Sequence, residues 1–141
     1  MREILFRGKR LDSGEWITGQ LLNFEDGRAR ICERGTDIFC YEKDESIIQT
    51  VAHRVDPETV GQYTGFVDKN GKKVFEGDIV YMDEWILSYM QVAYAQGAFF
   101  LAEIDKPVKY YDAICYLKHC GKPCAEVIGN IYDNPELIKE Q

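Results

Sequence analysis

Asp56-Pro57-Glu58-Thr59-Val60-Gly61-Gln62-Tyr63-Thr64-Gly65-Phe66, then Asp68-Lys69-Asn70-Gly71-Lys72-Lys73, then Val74-Phe75-Glu76-Gly77-Asp78-Ile79-Val80 form the stretch whose reading decides the fold. Its physics is that of tight turns feeding short strands. Asn70-Gly71, between Phe66-Val67 and Val74-Phe75, is a hairpin signal of the type I′ kind. Gly77-Asp78 is a further turn, leading into the apolar run Ile79-Val80-Tyr81-Met82. Gly61, Gly65, Gly71 and Gly77 sit where turns need a permissive backbone. Asp56 can cap, and Pro57 tolerates the first position of, a short helical turn over 55–60.

Working outward, the N-terminal side reads as a strand meander. Ile4 to Arg7 opens as a strand, Gly8 to Gly14 turns, and Glu15 to Leu22 resumes as a strand. Asp26-Gly27 is a strong hairpin signal, and Arg28-Ala29-Arg30-Ile31-Cys32 then alternates as a half-buried strand does. Residues 33–46 read as a loop with room for one strand at 38–41, and residues 47–52 as a further strand. On the C-terminal side, Gln91 to Ala95 alternates, Gln96-Gly97 turns, and Ala98 to Ala102 returns. Residues 103–124 have room for a short helix or strand. Glu126 to Tyr132 is the last strand, and Asp133 to Ile138 a capped helical turn. Ile79, Val80, Val127, Ile128 and Ile131 are the apolar positions expected inside a barrel.

The chain has 141 residues, 45% of them hydrophobic and 13% aromatic. That supports a packed core without staples and argues against disorder. Nine Tyr, seven Phe and two Trp favour strands over a helical bundle. The net charge is -7, and it is spread evenly. Residues 1–60 hold nine Lys and Arg against twelve Asp and Glu, and residues 61–141 hold eight against twelve. Such a balance opposes nonspecific nucleic-acid binding, which relies on clustered cations. No apolar run reaches the length of a signal peptide core or a membrane span, so a cytoplasmic protein with no membrane association is expected. Five Cys outside a secreted context are expected to be reduced thiols.

Several pieces together carry a resemblance. Phe6-Arg7-Gly8-Lys9-Arg10 and Gly14-Glu15-Trp16-Ile17-Thr18-Gly19 open it. Thr59 to Gly65, Asn70 to Lys73 and Phe75 to Val80 continue it, and Val127-Ile128-Gly129-Asn130-Ile131-Tyr132-Asp133-Asn134-Pro135-Glu136-Leu137 closes it. In this order they resemble the YopX family, small proteins encoded by phages and prophages, mostly of Gram-positive bacteria. The resemblance implies a mainly β fold whose C-terminal part is an SH3-type barrel, in the cytoplasm of a bacterial host. It implies no activity, no catalytic residues and no cofactor.

The chemistry-bearing clusters are sparse. Cys115, His119, Cys120 and Cys124 are the only metal-like group, and thiolate and imidazole ligands can hold tetrahedral zinc. Their spacing lacks the paired C-x2-C pattern, so free, partly buried thiols are the plainer expectation. Cys32 and Cys40 join them only if the fold brings them near. A Cys–His nucleophile needs a base in reach, and His53 and His119 are the candidates. Asp83-Glu84 and Glu42 to Glu45 read as solvated loops. Gly61 to Gly65 lacks the Gly-Lys-Ser/Thr element of a phosphate loop.

The aromatics Tyr81, Trp85, Tyr89, Tyr94, Phe99, Phe100, Tyr110 and Tyr111 are numerous enough to line a peptide groove. Phe99 or Phe100 is expected inside, with Trp85 and Tyr89 outward in a loop. Trp85, Tyr89, Tyr110 and Tyr111 are the candidate binding residues.

The expectation is an all-β protein: residues 1–55 an N-terminal meander, residues 56–141 an SH3-like barrel or roll with short helical turns, the two parts able to pack as one unit. Functionally it is a non-enzymatic phage or prophage accessory protein that binds another protein, with self-association a further possibility. The alternatives are a nucleic-acid-associated regulator, using cations such as Arg28, Arg30, Lys69, Lys72 and Lys73, or a small enzyme or zinc protein using Cys and His. Structural zinc supplies folding free energy, so a zinc-dependent fold melts on chelation. Elemental analysis is expected to find no stoichiometric zinc. One zinc per chain, lost together with the fold in chelator, reverses that expectation.

Overall fold

The computed structural model describes residues 1–33, 52–82, 88–104, 110–111, 117–119 and 121–139. Two compact units divide the chain, Met1–Gln62 and Tyr63–Gln141. The described residues are almost entirely strand and turn, which fulfils the all-β expectation.

In the first unit, β1 (Phe6–Lys9), β2 (Trp16–Asn23), β3 (Ala29–Glu33) and β4 (Ala52–Val55) form an antiparallel meander. The start of β5 (Gly61–Val67) pairs with the other edge of β1, Gly61 opposite Arg7. Gly61 is therefore a strand residue and not a turn residue. The meander curls until its ends meet: Arg10 bridges Val55, Leu11 N–H donates to the Arg54 carbonyl, and Asp56 N–H donates to the Lys9 carbonyl. Inside the curl pack Ile17, Ala29, Ile31 and Val55, with Phe6, Leu21 and Val60 against them. The curl needs a close approach at Gly19, where a Cβ would overlap the Cys32 carbonyl.

The capped turn after β4 forms as the sequence indicates. Asp56 Oδ1 accepts from Glu58 N–H ahead of the 3-10 turn Pro57–Thr59. Thr59 then ties this turn to β1, its hydroxyl accepting from Lys9 N–H at 2.9 Å.

In the second unit, the rest of β5 pairs with β6 (Lys73–Phe75). Gly65 sits inside β5 at φ 90, in the stretch where the register between Tyr63 and Val67 shifts, so it marks a bulge and not a chain reversal. A five-stranded antiparallel sheet follows in the order β10-β9-β8-β7-β13, built from β7 (Asp78–Met82), β8 (Ser88–Ala95), β9 (Ala98–Glu103), β10 (Tyr110–Tyr111) and β13 (Ala125–Asn130). The last long strand returns beside the first, the order of an SH3-type roll. A small ribbon, β11 (Lys118–His119) with β12 (Lys122–Pro123), and the helical turn α1 (Glu136–Lys139) complete the described elements. Val74, Val80, Met82, Met90, Val92, Leu101, Leu117, Cys124 and Ala125 make the core, with Phe66 and Val127 half-buried against it. Each large apolar side chain so buried contributes about 1.5–3 kcal/mol.

Two expectations about this core are corrected. Ile79 is fully buried but alternates with Val80 and Met82, so it lies on the opposite face of β7 from Val127's core. Ile128 is 36% exposed, because the β13–β7 register shifts between Val127 and Gly129 and leaves Ile128 as the extra, bulged residue.

The Asn70-Gly71 turn is also not type I′. Gly71 N–H donates to the Asp68 carbonyl and Asp68 N–H to the Lys72 carbonyl. Gly71 takes φ 80 while Asn70 keeps a negative φ, which is a three-residue loop, 69–71, closed by a glycine bulge. Phe24 to Arg28 repeats it, with Gly27 at φ 89 and the same two hydrogen bonds. The two-residue turn with both central φ values positive is Gln96-Gly97, at 53 and 81.

Asp68 organises the second unit. It is 2% exposed, and its Oδ1 accepts from Asn70 N–H at 2.9 Å and Lys72 N–H at 2.8 Å. Its Oδ2 accepts from Val127 N–H at 3.0 Å, while Lys69 N–H donates to the Ala125 carbonyl. The turn thereby covers the outer edge of β13, the side away from β7. Truncation to alanine leaves these donors without their carboxylate. Asp68→Ala is expected to cost about 3 kcal/mol or more in denaturant unfolding, with Asp68→Asn in between. A loss below about 1 kcal/mol contradicts the clamp. Gly19→Ala is expected to prevent the first unit from folding, read as loss of its amide dispersion by NMR.

Candidate functional site

The outer face of the second unit's sheet carries the most developed surface feature. Side chains alternate across the sheet, and Val80, Met82, Met90 and Val92 face the core. Tyr81 on β7 and Tyr89 on β8 therefore face the other way, directly opposite each other in register. Their rings lie 5.1 Å apart, tilted by 46°, and Tyr89 is 40% exposed. Such a tilted pair is a favourable aromatic contact beyond its area alone. Glu126 on β13 is the register partner of Tyr81 and forms an ion pair with Lys69 at 3.4 Å. Gln91, Ala93, Phe100 and Ala102 continue the same face toward β9. Ile79, opposite Gln91, shares this face and is fully buried, and Tyr81, Gln91, Ala93, Phe100 and Ala102 are half-buried, so the open part of the row is centred on Tyr89.

A second aromatic pair marks the end of the β8–β9 hairpin. Tyr94 and Phe99 are register partners, rings 5.1 Å apart and near edge-to-face, with Tyr94 51% exposed. They share the core face of the sheet but lie beyond the core, next to the Gln96-Gly97 turn. Phe99 and Phe100 are both half-buried, so neither is the fully interior residue expected.

Of the candidate binding residues, Tyr89 is described in full: it lies on a strand and not in a loop, and it is exposed. Tyr110 and Tyr111 form β10, their backbones paired with Ala102 and Leu101. Trp85 lies outside the described residues. Tyr81 is the residue that sequence reasoning placed among the aromatics without selecting it as a binding residue. Its place beside Tyr89 depends on the β7–β8 register.

Of the metal-like group, Cys124 is buried and belongs to the core, its N–H donating to the Leu117 carbonyl. His119 pairs through its backbone with Lys122. Cys115, Cys120 and Cys40 lie outside the described residues. Among the described residues, no group of His, Cys, Asp and Glu is arranged to hold a metal ion. Cys32 and His53 sit at adjacent register positions, opposite Ala52 and Ile31, which puts them on opposite faces of the first sheet.

The cations named for a nucleic-acid surface are dispersed. Arg28 pairs with Asp26 inside its own turn, and Arg30 donates to the Ala52 carbonyl. Lys73 lies over the Tyr63 ring, Lys69 pairs with Glu126, and Lys72 is exposed. Elsewhere, Arg7 and Lys9 share the Trp16 ring at 4.7 and 5.6 Å on the outer side of the first unit's curl. Among the described residues no helix is long and apolar enough to cross a membrane.

A family model for the YopX protein matches residues 5–139. The chain belongs to the YopX family. The match spans nearly all of this family member, including both units and the Tyr81–Tyr89 face. A crystal structure of protein EF1440 from Enterococcus faecalis is similar in fold, with a TM-score of 0.56 and 24% sequence identity. That likeness covers 98% of this YopX-family chain and 99% of the other. No curated protein matches.

An exposed ring contributes little to folding, whereas a core side chain contributes much. Tyr89→Ala is expected to change stability by less than about 1 kcal/mol, and Leu101→Ala to cost about 2–5 kcal/mol, both by denaturant unfolding. A large loss at Tyr89 contradicts its assignment as an exposed residue outside the core.

Proposed function

We propose that this YopX-family protein is a non-enzymatic accessory protein of phage or prophage origin that binds another protein in the bacterial cytoplasm, through the outer face of its second sheet. The observation that carries the reading is the Tyr81–Tyr89 pair on a central pair of strands, with Tyr89 exposed and Tyr81 half-buried. Large, rigid aromatic side chains are preferred anchors at protein interfaces. The dispersal of Arg28, Arg30, Lys69, Lys72 and Lys73 weighs against a nucleic-acid surface built from them, as does the -7 charge.

The test is capture from a lysate of the bacterial host, followed by mass spectrometry and titration of the captured protein. Tyr81→Ala and Tyr89→Ala are expected to weaken capture while leaving the fold intact. Loss of about 2 kcal/mol at an anchor corresponds to roughly a thirtyfold weaker affinity. Unchanged capture by both variants, with loss on charge reversal at Arg28, Arg30, Lys72 or Lys73, overturns the reading. So does tight, salt-sensitive binding of random duplex DNA by the wild type.

A further inference from the structure

Asn70 is exposed, stands at the third position of the Asp68–Gly71 turn, and is followed by glycine. The chain has four asparagines, and the other three are placed differently. Asn130 is 9% exposed; its Oδ1 accepts from the N–H groups of Tyr132 and Asp133, and its Nδ2 donates to Asp133. Asn134 precedes Pro135, which has no N–H, and its Oδ1 accepts from Asn130 N–H. Asn23 precedes Phe24, whose bulk crowds the following amide nitrogen. Among the described residues no hydrogen bond engages the Asn70 side-chain amide, and the next nitrogen belongs to a residue without a side chain.

We propose that Asn70 is a site of spontaneous covalent modification, deamidating to aspartate and isoaspartate, and that the isoaspartate form releases the Asp68 clamp. The Gly71 amide nitrogen loses its proton to solvent base as the turn opens and bonds to Asn70 Cγ. The Cγ–Nδ2 bond breaks, and the nitrogen takes up a proton and leaves as ammonia. The resulting cyclic imide takes one water. Opening of the Cγ–N bond gives aspartate, and opening of the main-chain carbonyl–N bond gives isoaspartate, in which the chain runs through Cγ. One water is consumed and one ammonia released, with no change of oxidation state.

The two products differ in consequence. Aspartate fits the turn, because the twin turn Phe24 to Arg28 carries Asp26 before Gly27 in the same conformation. Isoaspartate lengthens the main chain between the two N–H groups, of residues 70 and 72, that share Asp68 Oδ1. The same carboxylate holds Val127, so the loss propagates to the edge of β13. Asp26 itself resists the equivalent reaction. Its carboxyl is held below the usual carboxylate range, chiefly by the Arg28 N–H with the Arg28 guanidinium adding, and an ionised carboxylate is a poor target for the amide nitrogen. Between these two turns, the amide at Asn70 is therefore the more reactive side chain.

The full-length protein is incubated in warm, mildly alkaline buffer and sampled over time. Peptide mapping by mass spectrometry, isoaspartyl methyltransferase labelling and amide hydrogen exchange are read in parallel. The peptide containing residue 70 is expected to shift from amide to acid mass before those containing Asn23, Asn130 or Asn134. Methyl-accepting signal is expected to build at residue 70, with loss of exchange protection at Val127 in that fraction. Asn70→Ser is expected to show neither change, and freshly prepared Asn70→Asp to keep protection at Val127. Three results overturn the proposal: earlier conversion at another asparagine, no conversion at residue 70 while a free Lys69–Lys72 peptide converts fully, or an isoaspartate fraction with Val127 still protected.

Discussion

A buried carboxylate sharing three backbone N–H groups is the constraint on which the second unit depends. Burying a charge is costly unless hydrogen bonds replace its water, and Asp68 meets that condition with main-chain donors alone. Two of the donors close the hairpin turn, and the third belongs to β13, 59 residues further along. One side chain thus fixes a local turn and a long-range strand position together. It also settles the outer edge of β13, which would otherwise present unpaired groups at Ala125 and Val127.

The same device recurs at other ladder ends among the described residues. Asp78 Oδ2 accepts from Phe75 N–H across the turn into β7. Asn130 Oδ1 accepts from two N–H groups as β13 ends, and Asn134 Oδ1 accepts from Asn130 N–H. Gly129 leaves room for the Asn134 side chain, which a Cβ would overlap. Asp78, Gly129, Asn130 and Asn134 lie within the motifs that carry the family resemblance. They serve as substitutes for missing backbone partners. A match built on such residues fixes the shape of the chain, and an activity has to be sought on other surfaces.

The elements legible in the sequence were those set by local chemistry. Asp26-Gly27, Asp56-Pro57 and Gln96-Gly97 each determine their turn within a few residues, and the structure places turns at all three. What escaped reading depends on partners distant in sequence. Gly61 looked like a turn residue because nothing nearby announces its pairing with Arg7. Ile128 looked like a core residue because a one-residue bulge reverses the face of every position beyond it. The meeting of Arg10 with Val55 requires the whole first meander to curl before it can be seen. For the candidate site, the outward position of Tyr89 was legible but its setting was not, since it lies on β8 and not in a loop. Nor was its partnership with Tyr81, since that requires the β7–β8 register.

Register also explains why this face is suited to recognition. Tyr81 sits between Val80 and Met82, both buried on the opposite face, so its backbone is held by core packing and by strands on either side. Tyr89 stands next to Met90, which is anchored in the same core. Aromatic side chains mounted on a central strand pair lose little freedom on binding, because packing has already restricted the backbone beneath them. The Tyr94–Phe99 pair lies beyond the core and beside a turn, so it lacks equivalent support from below. Of the Tyr81–Tyr89 and Tyr94–Phe99 pairs, Tyr81–Tyr89 is the better preorganised anchor, and the Asp68 clamp on β13 is what steadies the neighbouring strand of its sheet.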